Sequence, residues 1–416
     1  MMQKDTDRLL LCCLGSETDE FKAARLQGLS TSDWKNLTHR SASCGVTPLL
    51  YHRLRSLHWL LSIPEEIWSN LKMAYLASAG RNTLLYHDLG QVLGALREDN
   101  IPVIALKGAH LAQIVYGDIA LRPMGDIDLL VRESDLPRVE KKLLKMEYHI
   151  FGVREWYANY RYKLEFQRTG RGTTVEVHWS LLDATSPFTL DVAGLWQRAR
   201  PATLAGVKVK VLSPEDLLLY ACLHTSFCDR FPGVKPLCDI AEIMRHYRNE
   251  IDWDQVVWRA HQWKASRYIF LTLYITGRLL AADVPDNVLD RLRPDDFNPN
   301  VLSWAVEQTL AEKTNTPRIV INFFELCRPG QPLRKVSLML KAIFLPLELL
   351  ACKYSLPPDS PRIRLYLMRL KELLQHHGQA WLRLLLVNDK EMVDLIGREN
   401  ALRGWLTGVK SIYTGC

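Results

Sequence analysis

Residues 101–131, IPVIALKGAHLAQIVYGDIALRPMGDIDLLV, constrain this chain more than any other stretch. Ile101 to Leu106 is an apolar, β-branched run that predicts a buried strand. Lys107 and Gly108 follow at once, and Ala109 to Tyr116 has the character of a short helix. Arg122-Pro123-Met124-Gly125 leads tightly into Asp126-Ile127-Asp128-Leu129-Leu130-Val131, a second strand opened by two acids. Residues i and i+2 of a strand share a face, so Asp126 and Asp128 project together while Ile127 and Leu129 enter the opposite layer. Two carboxylates crowded on one face repel, and burying both is costly. A divalent cation resolves that cost, and Mg²⁺ with phosphate ligands is the usual solution. A wet strand end is the plain alternative, and the acid pair alone does not separate the two.

The wider string does more. Leu106-Lys107-Gly108, Leu111, Tyr116 and Arg122 to Val131 together match the pattern LKG…L…Y…RPMGDIDLLV. In this the chain resembles the bacterial family of uncharacterised nucleotidyltransferases, within the polymerase-β-like superfamily. The resemblance implies an α+β fold. Its core is a polymerase-β-type palm, a small mixed sheet with helices, embedded between N-terminal and C-terminal helical regions. It also implies that the glycine turn at Gly108 holds a triphosphate and that Asp126 and Asp128 hold Mg²⁺ with a third acid from a later strand. The superfamily usually carries Gly-Gly or Gly-Ser in that turn, whereas this chain has Gly108-Ala109. The serine hydroxyl is absent, so Lys107 and backbone N–H groups carry more of the phosphate contact. Arg122 lies within the matched string and is nominated with them for nucleotide contact.

The third acid comes from the alternating segments that follow. Glu147 to Val153 predicts a strand, Lys163 to Arg168 another, and Thr173 to Trp179 a third, the last two joined by a turn at Gly170-Arg171-Gly172. Thr174, Glu176 and His178 share one face of TTVEVHW. If that strand lies beside Asp126 and Asp128, Glu176 completes the acid set and His178 joins it as a ligand contact; a wet sheet face is the alternative for Glu176, and a simple hydrogen-bonded histidine for His178. Leu181 to Pro201 reads as a connector with a short helical piece near Leu195-Trp196, and Gly206 to Leu212 as one more strand.

Helical patterns flank this region on both sides. Residues 1–98 form the N-terminal helical region, 99–212 the palm and 213–416 the C-terminal helical domain. Ser30 and Pro64-Glu65-Glu66 are helix openings, and the run from Ile67 to Arg97 is expected to break or weaken at Gly80. Ser213-Pro214-Glu215-Asp216 opens the first C-terminal helix. The family resemblance continues through His224, Lys235, Leu237 and Asp239-Ile240-Ala241, which nominates His224, Lys235 and Asp239 for nucleotide or acceptor contact. A structural network, with Asp239 paired to Lys235 and His224 satisfied internally, accounts for the same residues. The proline-bearing stretch Asp283 to Pro299 is expected to be a loop at a subdomain boundary.

Composition narrows the class. A formal charge of +7 over 416 residues is a mild bias and no nucleic-acid signature. The nine cysteines have no zinc spacing, which predicts free thiols in a reducing compartment. No run reaches the 18 apolar residues of a membrane span, and the start reads as a helix and not a signal peptide, so a cytoplasmic protein is expected. The resemblance implies transfer of a nucleoside monophosphate from an NTP, with ATP the expected nucleotide and two Mg²⁺ ions as cofactors, to an acceptor hydroxyl with release of pyrophosphate. The acceptor stays open among a small molecule, a saccharide and a protein, with nucleic acid ranked lower. A silent nucleotide-binding or regulatory module and a two-metal phosphohydrolase are the rival readings.

Overall fold

A computed structural model describes residues 3–150, 162–168, 170, 172–183, 186–311 and 361–386, with short pieces between 340 and 407. The chain separates into two units, one of residues 1–149 with 162–311 and one of residues 150–161 with 312–416.

Local signals start the N-terminal helices. After α1 (Gln3–Leu14) and α2 (Asp19–Leu26), α3 (Thr31–Ser43) opens on a reciprocal cap. Ser30 Oγ accepts from the Asp33 N–H at 3.2 Å, and the Asp33 carboxylate accepts from the Ser30 N–H at 3.1 Å. Pro48 sits in the first turn of α4 (Thr47–Arg55), where a missing N–H costs nothing. Pro64 precedes α5 (Glu65–Glu98), whose first-turn acids face the positive end of the helix.

α5 runs unbroken for 34 residues, so of the expected break or weakening at Gly80 only a weakening remains. Gly80 is exposed, and a Cβ there would meet nothing within 4 Å. The Ala- and Leu-rich helix therefore tolerates it at about 1 kcal/mol relative to alanine. Gly80→Ala should raise stability by roughly 0.5–1 kcal/mol in urea unfolding. Gly90 is the contrasting case, because its Cβ would come 3.2 Å from the Ala205 carbonyl. Gly90→Ala should lower stability by about 1 kcal/mol or more. Equal effects of the two alanines would contradict this account.

The sheet follows from short apolar strands. β1 (Ile104–Ala105) is followed by α6 (Lys107–His110), which continues as a π-helical turn over Leu111–Val115. β2 (Asp126–Leu130), α7 (Leu136–Lys145) and β3 (Tyr148–Ile150) come next. β4 (Lys163–Arg168) and β5 (Thr174–His178) form a hairpin, and α8 (Val192–Arg198) precedes β6 (Arg200–Leu204) and β7 (Val207–Val211). The order across the mixed sheet is β3-β4-β5-β2-β1-β7-β6. β2 runs parallel to β5 and antiparallel to β1, and β1 runs parallel to β7. Ile127, Leu129, Val175, Val177 and Phe166 are fully buried on one face. Thr173 shares the parity of Val175 and hydrogen-bonds Asp88, so α5 covers that face. The other face of β2 and β5 carries the acids.

β6 was not legible as a strand. Arg200-Pro201-Ala202-Thr203-Leu204 lacks alternation, and its proline fits only an edge. It pairs with β7 through a two-residue turn in which Ala205 (φ 49°) and Gly206 (φ 77°) are both left-handed, the conformation tight hairpins require.

Beyond residue 213 the described elements are helical. α9 (Pro214–Leu223) opens on Ser213, which accepts from the Asp216 N–H, and passes into a π-helical turn over His224–Cys228. α10 (Val234–His246), α11 (Trp253–Gln262) and α12 (Ser266–Leu280) follow. α12 is the central one; Ile269, Leu271, Leu273 and Ile275 are fully buried, and it packs on α9, α10 and α11. The stretch expected to be a boundary loop holds α13 (Asp286–Leu292), anchored by buried Val288 and Leu292, and α14 (Pro299–Leu310) begins at its end. In the second unit, α15 (Arg362–Leu386) buries Leu365 with Leu350, and the Tyr354 hydroxyl donates to Glu372 at 2.6 Å. Most of residues 335–353, and the proline-rich turn at 355–360, lie outside the described residues.

Candidate active site

Register builds the site. In the parallel pairing Asp126 lies beside Thr174, Asp128 beside Glu176 and Leu130 beside His178. Parity then puts Asp126, Asp128, Glu176 and His178 on one face. The antiparallel β4 adds Lys163 opposite His178 and Glu165 opposite Glu176.

One ligand atom each from Asp128, Glu176 and His178 fall within 4.8 Å of one another. His178 Nε2 lies 3.2 Å from Asp128 Oδ1 and 3.3 Å from Glu176 Oε2. Its Nδ1 is buried with no hydrogen-bond partner. Lys163 Nζ donates to Glu176 Oε2 and lies 3.5 Å from Glu165. Asp126 lies outside the tight group but feels it. Burial, with the charges of Asp128 and Glu176, pushes its carboxyl up to about 6 despite Lys107 and Lys163. Asp128 goes the other way. Burial acts to raise it, but the His178 hydrogen bond and charge, with Lys107, hold it well below the carboxylate range. His178 mirrors this: burial acts to lower it, and its bonds to Asp128 and Glu176 raise it above the ordinary value.

Gly108 brings the helix start against this group. The Leu106 N–H donates to the Asp128 carbonyl at 3.0 Å, which ties the start of α6 to β2. A Cβ on Gly108 would sit 3.9 Å from Asp128 Oδ2 and 3.6 Å from Met124 Cε. These are ordinary contacts, so the backbone does not demand glycine; its absent side chain instead leaves the carboxylate open. Ala109 is buried behind it, where its carbonyl accepts from the Tyr86 hydroxyl. The first-turn N–H groups of such a helix have no partner inside it.

Lys107 is the odd member. Among the described residues its ammonium makes no hydrogen bond or ion pair, and it lies 5.7 Å from the centre of the Tyr220 ring. Burial lowers its proton affinity, while Asp128 and Asp229 act to raise it.

The remaining nominated residues are placed differently. Arg122 donates to both Asp239 oxygens, at 2.8 and 2.9 Å, and the Tyr116 hydroxyl joins them at 2.9 Å. Lys235 Nζ donates to the Pro123 carbonyl. Asn82 Nδ2 donates to the Ile119 and Arg122 carbonyls, and its Oδ1 accepts from the Met124 N–H. These side chains clamp the Arg122–Gly125 loop that aims Asp126. Asp239 thus pairs with Arg122 and not Lys235. His224 Nδ1 lies 3.0 Å from Asp229, and its ring stands edge-on to Tyr220.

Lys163 and Tyr220 escaped the sequence reading. Lys163 was accessible in principle, because the β4–β5 hairpin register places it opposite His178. Tyr220 had no signal, since every residue of α9 is buried.

No curated protein matches the chain. Among solved structures, that of the antibiotic-resistance factor ANT(2'')-Ia, described as showing substrate-regulated conformation dynamics, matches with 18% identity over 47% of this chain and 97% of that one, at a TM-score of 0.32. The family described as "Uncharacterised nucleotidyltransferase" matches residues 30–281. That span takes in the clamped loop, the acid face and α9 to α12, and the chain belongs to this uncharacterised nucleotidyltransferase family of the polymerase-β-like superfamily.

Proposed function

We propose that the chain transfers a nucleoside monophosphate from an NTP, with ATP the expected nucleotide, to an acceptor hydroxyl in the cytoplasm, releasing pyrophosphate. The observation that carries this reading is the unpaired Lys107 ammonium beside Gly108, next to the grouped Asp128, Glu176 and His178. A desolvated ammonium with no ion pair among the described residues and a crowd of acids are each unfavourable alone. A metal-bound triphosphate satisfies both.

Asp126, Asp128 and Glu176 offer the hard oxygen donors that suit Mg²⁺, and two ions are part of the proposal. When bound, Mg²⁺ supplies Lewis-acid stabilisation of charge on the phosphoryl oxygens. Lys107 and the N–H groups at Gly108 and Ala109 hold the triphosphate oxygens. The acceptor oxygen bonds to the α-phosphorus, the α–β bridging P–O bond breaks with its electron pair leaving on pyrophosphate, and the acceptor's hydroxyl proton is released to solvent. Glu176 Oε2 is already engaged by Lys163 and His178. That suits it to a fixed place in the metal shell better than to removal of the acceptor proton. Arg122, Lys235 and Asp239 act as positioning residues through the loop before Asp126, and His224 through Tyr220 and Asp229. A hydroxylated small molecule, a saccharide or a protein is the acceptor class.

The test is pyrophosphate release from each of the four NTPs with Mg²⁺ and a mixed acceptor pool. Release is expected, EDTA should stop it, and Lys107→Met should reduce it about 100-fold, the scale of one lost transition-state donor. Orthophosphate release with no labelled acceptor would assign a phosphohydrolase. Nucleotide binding without turnover would assign a silent binding module.

A further inference from the structure

A second electropositive site lies in the N-terminal helical region, sharing no residue with the Asp128 group. A cavity of about 600 Å³ is lined by Asp19 and Lys22 of α2 and by His52, Arg53, Arg55 and Ser56 at the end of α4. Its volume falls within the roughly 300–1,000 Å³ of small-molecule sites.

Its charges are poorly neutralised. Lys22 is only 5% exposed, yet its ammonium donates to the Gly15 carbonyl at 2.9 Å and has no carboxylate in ion-pair range among the described residues. Arg53 uses one terminal nitrogen on Glu242, which Arg245 also engages. The Arg53 Nε is buried with no hydrogen-bond partner. Arg55 is exposed and makes neither hydrogen bond nor ion pair among the described residues. The lining itself offers one acid, Asp19, while Glu242 engages Arg53 from outside it and Glu17 acts on Lys22. Burial lowers the proton affinity of Lys22 and the nearby Arg53 charge lowers it further, against Asp19 and Glu17, which act to raise it. Like charges crowded around one hollow raise its potential, and an anion relieves that repulsion.

The chemistry of the lining selects the anion. Two guanidinium groups present planar donor forks that match phosphate oxygens, and the lysine adds a point charge. With Arg53 shared with Glu242, the lining keeps Lys22 and Arg55 without an ion pair among the described residues, which suits a group carrying two negative charges better than a single carboxylate. The hollow is also larger than a simple inorganic ion needs. We infer that this cavity binds the phosphate group of a phosphorylated small molecule, through Lys22, Arg53 and Arg55.

The test is calorimetric titration of the full chain with inorganic pyrophosphate in EDTA, which removes metal-dependent binding at the acid face. Arg55 is exposed and unpartnered, so Arg55→Gln leaves the fold intact. Arg55→Gln is expected to weaken binding by roughly tenfold or more, the scale of one charge-assisted hydrogen bond, and Lys22→Gln likewise. Lys107→Met is expected to keep the titration unchanged. The inference is overturned if Arg55→Gln titrates like the native chain, if the loss appears only in Lys107→Met, or if the native chain shows no heat at millimolar pyrophosphate.

Discussion

Asp128→Asn is expected to abolish pyrophosphate release, with a fall of at least about a thousandfold, or ~4 kcal/mol of transition-state stabilisation. Asparagine keeps the shape and one acceptor oxygen but removes the charge. The sequence suggests that the change should also relieve repulsion between Asp126 and Asp128 in the metal-free protein. The structure divides that expectation between the two residues. Asp128 is the satisfied member, held ionised by His178, so its replacement should cost the apoprotein about 1 kcal/mol of charge-assisted hydrogen bonding. Asp126 is the strained one.

The signs of their pH dependence are opposite. The Asp126 carboxyl rises from its ordinary 3.8 to about 6, so the folded chain holds that proton more tightly than the unfolded chain. Its contribution is fully present below about pH 4 and is lost as pH rises towards 6. Asp126→Asn should remove that loss and raise the melting temperature of the apoprotein near pH 7. The Asp128 contribution is present above the ordinary carboxylate range and declines as pH falls below it. Melting curves of both variants from about pH 2 to 8, beside turnover with Mg²⁺, separate the two roles. A native rate in Asp128→Asn, or an Asp126→Asn apoprotein less stable than native at pH 7, would be incompatible with the site as described.

Asp239→Ala should be the most destabilising single change at the site, by about 3–5 kcal/mol, because it leaves a buried guanidinium without its counter-charge. Arg122 is 8% exposed and both of its bonded nitrogens point at Asp239. The Tyr116 hydroxyl loses its acceptor in the same step. Removing both charges, as in Arg122→Met with Asp239→Leu, should recover most of the loss, since an apolar pair carries no buried unpaired charge. The double variant should nonetheless turn over more slowly than native, because the loop before Asp126 has lost its clamp. Equilibrium urea unfolding checks the first claim and steady-state turnover the second. A loss under about 1 kcal/mol in Asp239→Ala would mean that the pair is solvated and holds nothing.

How much of this was legible depended on whether a feature is local. The β2 and β5 patterns, the shared parity of Asp126 and Asp128, and the Ser213 start of α9 are written in neighbouring residues, where period and capping decide the outcome. α5 runs through Gly80 because a single exposed glycine costs about 1 kcal/mol, enough to weaken but too little to stop a 34-residue helix packed along the sheet. β6 was missed because an edge strand with one exposed side need not alternate.

By itself, then, the sequence determined most of the strands and helices, though not β6 or α13, and which side chains share a face, because both follow from backbone periodicity. Only the tertiary structure decided that β2 lies beside β5, which brings Asp128 to Glu176 and His178 from 48 and 50 residues further along the chain. It alone chose Arg122 over Lys235 as the partner of Asp239, and left Lys107 beside Gly108 with no ion pair among the described residues. Strand order and ion pairing are settled by which buried surfaces and charges satisfy one another at a distance, and no local period records that choice.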